Sequence, residues 1–196
     1  YMDKIAIGGG YSEDVIDLDA SVLDNIKSLA QAKKCKPKDI TACVLERDRH
    51  AEIIESLRSI GSKVFLIPDG DVQGVIMTSQ KDINVDIYFG TGGAPEGVLA
   101  AAALQCIGGQ IQTRLVIRND DEKKRAEKLG ITDLEKKYNI DDLATGDIVF
   151  VATGVTEGTM VQGVKKLGNL YTTHSIVLRS DENTTQYIKT QHTNIR

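Results

Sequence analysis

Three short apolar runs, ITACVL at 40–45, KVFLI at 63–67 and VDIYFG at 85–90, constrain the fold more than any other feature of the chain. They do not alternate cleanly between apolar and polar residues. A strand that is apolar on both faces belongs inside a sheet with cover on both sides. The segments between them have helical spacing. AEIIESLRSIG, 51–61, is closed by glycine, VQGVIMTS, 72–79, is short, and PEGVLAAAALQCIGG, 95–109, has Pro95 near the favoured first position and glycines at its end. An earlier helix is marked by Leu18, Val22, Leu23, Ile26, Leu29 and Ala30, with Asp19 or Ser21 available as a cap. This strand–helix rhythm with short connections predicts an α/β fold around a central mixed or mainly parallel sheet covered by helices.

The remainder is less regular. YMDKIAIGGG reads as a strand already running at Tyr1, so the chain is expected to be part of a longer one. TRLVI, 113–117, reads as a strand and DEKKRAEKLG, 121–130, as a helix with a solvated charged face. DIVFVATG, 147–154, is a strand ending in glycine. NLYTTHSIVLRS, 169–180, has strand character with a turn expected near Thr172–Thr173, and the last dozen residues are an edge strand or a tail.

In a parallel sheet, the loops that follow the strands lie along one edge, and ligands bind there. After the first three apolar runs come ERDRH (46–50), PDGD (68–71) and TGGAPEG (91–97). Arg47 and Arg49 suit a phosphate, because each guanidinium donates through a planar fork; pairing with local acids is the plainer alternative. Asp69 and Asp71 flank Gly70. They fit sugar hydroxyls or a hard cation, and equally an ordinary turn in which Asp71 caps the next helix. Gly92 and Gly93 present backbone amides at a helix start, where an anion is favoured. Glu96 in the first turn is either a charge that suits the helix dipole or a metal ligand. The stretch lacks the lysine and Ser/Thr of a nucleotide-binding P-loop. Thr153–Gly158 reads as a core or cap segment, His50 as a helix-start residue, and Cys43 and Cys106 as buried core residues.

Composition narrows the function classes. Hydrophobic residues make up 41% of the 196, enough for a core. With 24 basic and 28 acidic residues, the balance gives no reason to expect nucleic-acid binding. No apolar run approaches the roughly 20 residues that span a bilayer, so no membrane partner is expected. Three widely spaced cysteines without a CxxC suggest neither zinc nor a disulfide framework, and a reducing, cytoplasmic setting is expected.

The series YMDK, ERDRH, IPDGDV, YFGTGGAPEGVLAAAA and FVATGVTEGTMVQGV closely resembles the C-terminal portion of class II fructose-1,6-bisphosphatase, whose cyanobacterial relatives also act on sedoheptulose 1,7-bisphosphate. GTGGAPEGV is the most specific part. The resemblance implies an α/β sub-domain similar to those of the lithium-sensitive sugar and inositol phosphatases. It implies hydrolysis of the 1-phosphate of D-fructose 1,6-bisphosphate with Mg²⁺ or Mn²⁺, a role in gluconeogenesis, and a homo-oligomer. By motif, Tyr1, Arg47, Arg49, Asp69, Asp71 and Gly93 correspond to substrate contacts and Glu96 to a metal ligand. Arg47 stands where the family often has lysine. The family's other metal-binding carboxylates, and the groups that position the attacking water, lie on N-terminal motifs absent from these 196 residues. The chain, as residues 1–196 of a C-terminal sub-domain, is therefore expected to be inactive without its N-terminal partner. Two alternatives remain. One is a phosphatase preferring sedoheptulose 1,7-bisphosphate or inositol phosphates; the other is a non-catalytic sugar-phosphate binding module.

Overall fold

The computed structural model describes residues 1–193. A first sheet contains five strands: β1 (Met2–Gly8), β2 (Thr41–Leu45), β3 (Lys63–Ile67), β4 (Ile87–Gly92) and β5 (Gly109–Leu115). Their spatial order is β3-β2-β4-β1-β5. β2 pairs in parallel with β3 and β4, whereas β1 is antiparallel to both β4 and β5. The sheet is therefore mixed. The parallel part coincides with the three apolar runs; the opposite sense of the strand at the start of the chain is not legible from periodicity.

Four helices cover this sheet: α1 (Val22–Ala32), α2 (Ala51–Ile60), α3 (Asp71–Met77) and α4 (Ala94–Ile107). Successive strand residues point to opposite faces. Ile5, Ile7, Ala42, Val44, Ile87 and Phe89 pack with Ile26, Leu29 and Leu57 on the α1/α2 side. Ala6, Cys43, Leu45 and Tyr88 pack with Val75, Met77, Ala100, Ala101 and Leu104 on the α3/α4 side. Ser21 caps α1 by accepting from the Asp24 N–H, and Gly61, at φ +80°, ends α2.

A second, antiparallel sheet joins β6 (Val149–Thr153), β7 (Lys165–Leu167), β8 (Leu170–Arg179) and β9 (Thr184–His192). Phe150, Ile176 and Leu178 pack against Ile76, Ala103 and Cys106 on the far side of α3 and α4. These two helices are thus sandwiched between sheets, which explains the alanine-rich, all-round apolar character of 98–106. Two further helices, α5 (Asp120–Lys128) and α6 (Ile140–Leu143), lie in the connection.

Several boundaries differ from the sequence reading. β8 runs unbroken through Thr172–Thr173, because both residues pair with β9, and Thr172 also pairs with β7. Of the last dozen residues, those up to His192 belong to strand β9, which pairs with β8; residues 194–196 lie outside the described residues. The strand expected at 113–117 sits at 109–115, drawn upstream by its register with β1. Cys43 and Cys106 are buried as expected. Among the described residues, no helix is long and apolar enough to cross a membrane.

Candidate functional site

The C-terminal ends of β2, β3 and β4 lie side by side, so the loops beginning at Glu46, Pro68 and Gly93 share one edge of the first sheet. The antiparallel β1 brings its start to the same edge, where Met2 pairs with Gly92 and Leu115. Tyr1, Arg47, Arg49, Asp69, Asp71, Gly93 and Glu96 are therefore all gathered there.

The cationic half forms around Tyr1. The Arg49 guanidinium carbon lies 5.6 Å from the centre of the Tyr1 ring, and that of Arg118 lies 4.1 Å from it. Such contacts are worth about 0.5–1 kcal/mol at exposed sites. Arg49 Nε also donates to the Thr91 carbonyl at 2.8 Å, which ties the first loop to the third. Arg118 is a residue the sequence reading missed. It follows β5 directly, as Val116 donates to the Tyr1 carbonyl at 3.0 Å, and its signal was a cation just beyond an apolar run. Glu122 pairs with it, and that hydrogen-bonded guanidinium holds the Glu122 carboxyl down at about 2. Arg47 reaches Asp69 at 3.7 Å; the pair is too exposed to fix either side chain firmly.

The acidic half is built differently. Asp71 is 3% exposed and accepts from Lys4 Nζ at 2.7 Å, with the lysine side chain fully buried. The expectation that Asp71 caps its helix is corrected: Gly70, at φ +83°, is the N-cap, and Asp71 is the first helical residue. A glycine suits that left-handed conformation, and it frees the Asp71 carboxylate for the lysine. Lys4 comes from the middle of β1, opposite Gly90 and Thr113. Tyr88 lies on the same sheet face. Its hydroxyl is buried with no hydrogen-bond partner among the described residues, and burial, with the Asp71 charge behind it, pushes the phenol pKa up.

His50, read from sequence as a helix-start residue, is a buried clasp. Its Nδ1 lies 2.8 Å from the Leu45 carbonyl, and its Nε2 accepts from the Thr91 N–H at 2.9 Å. That second bond requires a bare Nε2, so the ring is neutral with its proton on Nδ1. Burial, the largest influence, holds its pKa below the usual histidine range. The clasp and Arg49 together fix the path of Thr91–Gly93.

At the helix start, the Gly93 N–H donates to Glu96 Oε2 at 2.9 Å, the half of a capping box that a glycine N-cap can make. A Cβ at Gly93 would lie 2.5 Å from that oxygen, so a larger residue there would push the Glu96 carboxylate aside. One carboxylate oxygen makes the cap, which leaves the other to accept a cation. A hard divalent ion takes about six oxygen ligands. Among the described residues no group of three or more His, Cys, Asp or Glu side chains is placed to hold one. By itself Glu96 could supply only one of those ligands.

The segment Thr153–Gly158 is not core. Val155–Glu157 are exposed, and the loop closes on itself as Glu157 accepts from the Gly163 N–H at 3.2 Å. It faces the second loop across a cleft of about 510 Å³, where Gln73 donates to Thr159.

Known proteins match this arrangement in sequence. The family model for bacterial fructose-1,6-bisphosphatase, glpX-encoded, matches residues 1–192. Fructose-1,6-bisphosphatase class 2 of Haemophilus influenzae is 35% identical over 206 residues, covering 98% of this chain and 61% of that protein. Fructose-1,6-bisphosphatase 1 class 2 of Escherichia coli K12 is 34% identical over the same shares. The chain thus spans about three fifths of the length of the curated relatives it matches. With nearly its whole length matched, the chain belongs to the bacterial class 2 fructose-1,6-bisphosphatase family.

Proposed function

We propose that the chain is the C-terminal, substrate-holding sub-domain of a class II sugar-bisphosphatase with the layered fold of the lithium-sensitive phosphatases. The complete polypeptide, with Mg²⁺ or Mn²⁺, hydrolyses the 1-phosphate of D-fructose 1,6-bisphosphate to fructose 6-phosphate and phosphate. The observation that carries this reading is the gathering of these polar groups along one sheet edge. Tyr1, Arg47 and Arg49 line one part, Asp69 and Asp71 another, and Glu96 stands at a helix start beside them.

Each part has a task that its chemistry suits. The arginine forks hold the phosphate that is retained. The aspartates accept hydrogen bonds from sugar hydroxyls and so orient the substrate, and the Gly93 backbone lies alongside it. Glu96 supplies one metal ligand. A divalent cation, when bound, neutralises charge on the transferring phosphoryl group and activates water. The remaining ligands and the water-positioning groups belong to an N-terminal sub-domain of the same polypeptide.

Phosphate release from fructose 1,6-bisphosphate with Mg²⁺ or Mn²⁺ tests this. The complete polypeptide should turn over, and the isolated chain should not. Robust turnover by the isolated chain would overturn the placement of the catalytic groups. A kcat/KM that favours sedoheptulose 1,7-bisphosphate or an inositol phosphate would overturn the substrate.

A further inference from the structure

We propose that Lys4 is a positioning residue for substrate binding: its buried ammonium fixes the Asp71 carboxylate, which in turn receives the sugar. The inference rests on the reading of Asp71 as a substrate contact.

A lysine buried in the middle of a sheet needs a reason. Its charge is costly to bury unless paired, and a well-packed apolar residue serves stability as well as a buried ion pair does. Stability alone therefore does not call for Lys4. The surroundings are shaped to bring this one contact about. Lys4 stands opposite Gly90 on β4, and the Tyr88 ring lies over that glycine, with its hydroxyl 2.6 Å from where a Cβ would sit. A Cβ at Gly92 would fall on Asp71 Oδ2, 3.0 Å from Lys4 Nζ, and one at Gly97 would lie 3.1 Å from Lys4 Cε. Two glycines from two loop-flanking elements thus leave room for the pair.

Among the described residues, Asp71 for its part has no other hydrogen-bonded anchor. Its helix is capped by Gly70 without a side-chain hydrogen bond. Among the described residues, the hydrogen bond to its carboxylate comes from Lys4, on Oδ2. Holding one oxygen leaves Oδ1 to accept from a ligand hydroxyl, with the carboxylate plane already set. A charge-assisted hydrogen bond so preorganised strengthens ligand binding by about tenfold or more.

The test uses the complete polypeptide, its metal and fructose 1,6-bisphosphate. Asp71→Asn should raise KM about tenfold or more; an unchanged KM would overturn the substrate role of Asp71 itself. Lys4→Met should raise KM comparably while kcat per folded molecule stays within about threefold. A raised KM in Asp71→Asn with an unchanged KM in Lys4→Met would overturn the role of Lys4 and leave the site reading standing. Lys4→Met leaves a buried carboxylate unpaired, so the double variant Lys4→Met/Asp71→Asn, which removes both charges, covers a failure to fold. Its KM should equal that of Asp71→Asn alone, because Lys4 acts through Asp71. A double-variant KM at the product of the two single effects, or well above that of Asp71→Asn alone, would mean that Lys4 acts independently and would overturn the proposal.

Discussion

Substituting Gly92 by alanine tests the packing beneath the site with a single methyl group. The new Cβ falls on Asp71 Oδ2 and lies 3.2 Å from its carboxyl carbon and 3.0 Å from Lys4 Nζ. To reach ordinary van der Waals separation the carboxylate has to retreat by roughly 1 Å. Retreat is confined for both partners, since Asp71 is 3% exposed and the Lys4 side chain is fully buried. Lengthening the 2.7 Å pair by that amount weakens its attraction by about 1.5 kcal/mol at an effective dielectric of about 20. Overpacking adds about 1–3 kcal/mol, and the higher strand propensity of alanine returns about 0.5. The expected loss is about 2–4 kcal/mol, read from urea unfolding at constant m-value. Gly61→Ala calibrates it: Gly61 has φ +80° with nothing near its Cβ position, so backbone strain alone costs about 1 kcal/mol there. A Gly92→Ala loss below that of Gly61→Ala would refute the claim that the pair is tightly confined.

Three other outcomes follow from the site. His50 has a folded-state pKa below its unfolded value, so its stabilising effect is full above about pH 6.5 and is lost as pH falls toward the folded pKa; thermal melts should show that slope, and His50→Gln should flatten it. Glu96→Gln keeps an acceptor for the Gly93 N–H and should change stability by less than about 1 kcal/mol, while Mn²⁺ affinity of the complete polypeptide, measured by titration calorimetry, falls about tenfold or more; unchanged affinity removes Glu96 from the ligands. Arg49→Ala frees the Thr91 carbonyl and one face of Tyr1 and should raise KM for fructose 1,6-bisphosphate about tenfold with kcat little changed; equal KM values would return Arg49 to a surface role.

The grouping of three loops on one sheet edge was more legible in the sequence than the sense of β1 was. Loops after apolar runs carry their chemistry in a few adjacent letters, and strand order in the parallel part puts those loops together. The capping role of Glu96 and the burial of Cys43 were readable in the same way. Lys4 and His50 were not. In YMDKIAIG a lysine looks like the polar member of an exposed alternation, and its burial depends on the register that places it opposite Gly90 and Thr113. His50 acquires its role from Leu45 and Thr91, whose approach is set by β2 and β4. The reversed sense of β1 likewise has no local signature, because side-chain periodicity is the same in either direction. Arg118 reached the site only through that reversal, which brings the end of β5 to the same edge.

The position of β1 also sets an order of assembly. Met2 finds its partners at Gly92 and Leu115, so the strand in the interior of the first sheet can be paired on both sides only after the chain has grown past residue 115. At roughly 5–20 residues per second, that is a delay of about 5–20 s on the ribosome. During it, β2, β3 and the helices between them can associate through short connections, while β1 waits for contacts distant in sequence. The adjacent Asp3 and Lys4 charges keep this waiting strand from being a wholly apolar segment, gatekeepers in the nascent chain.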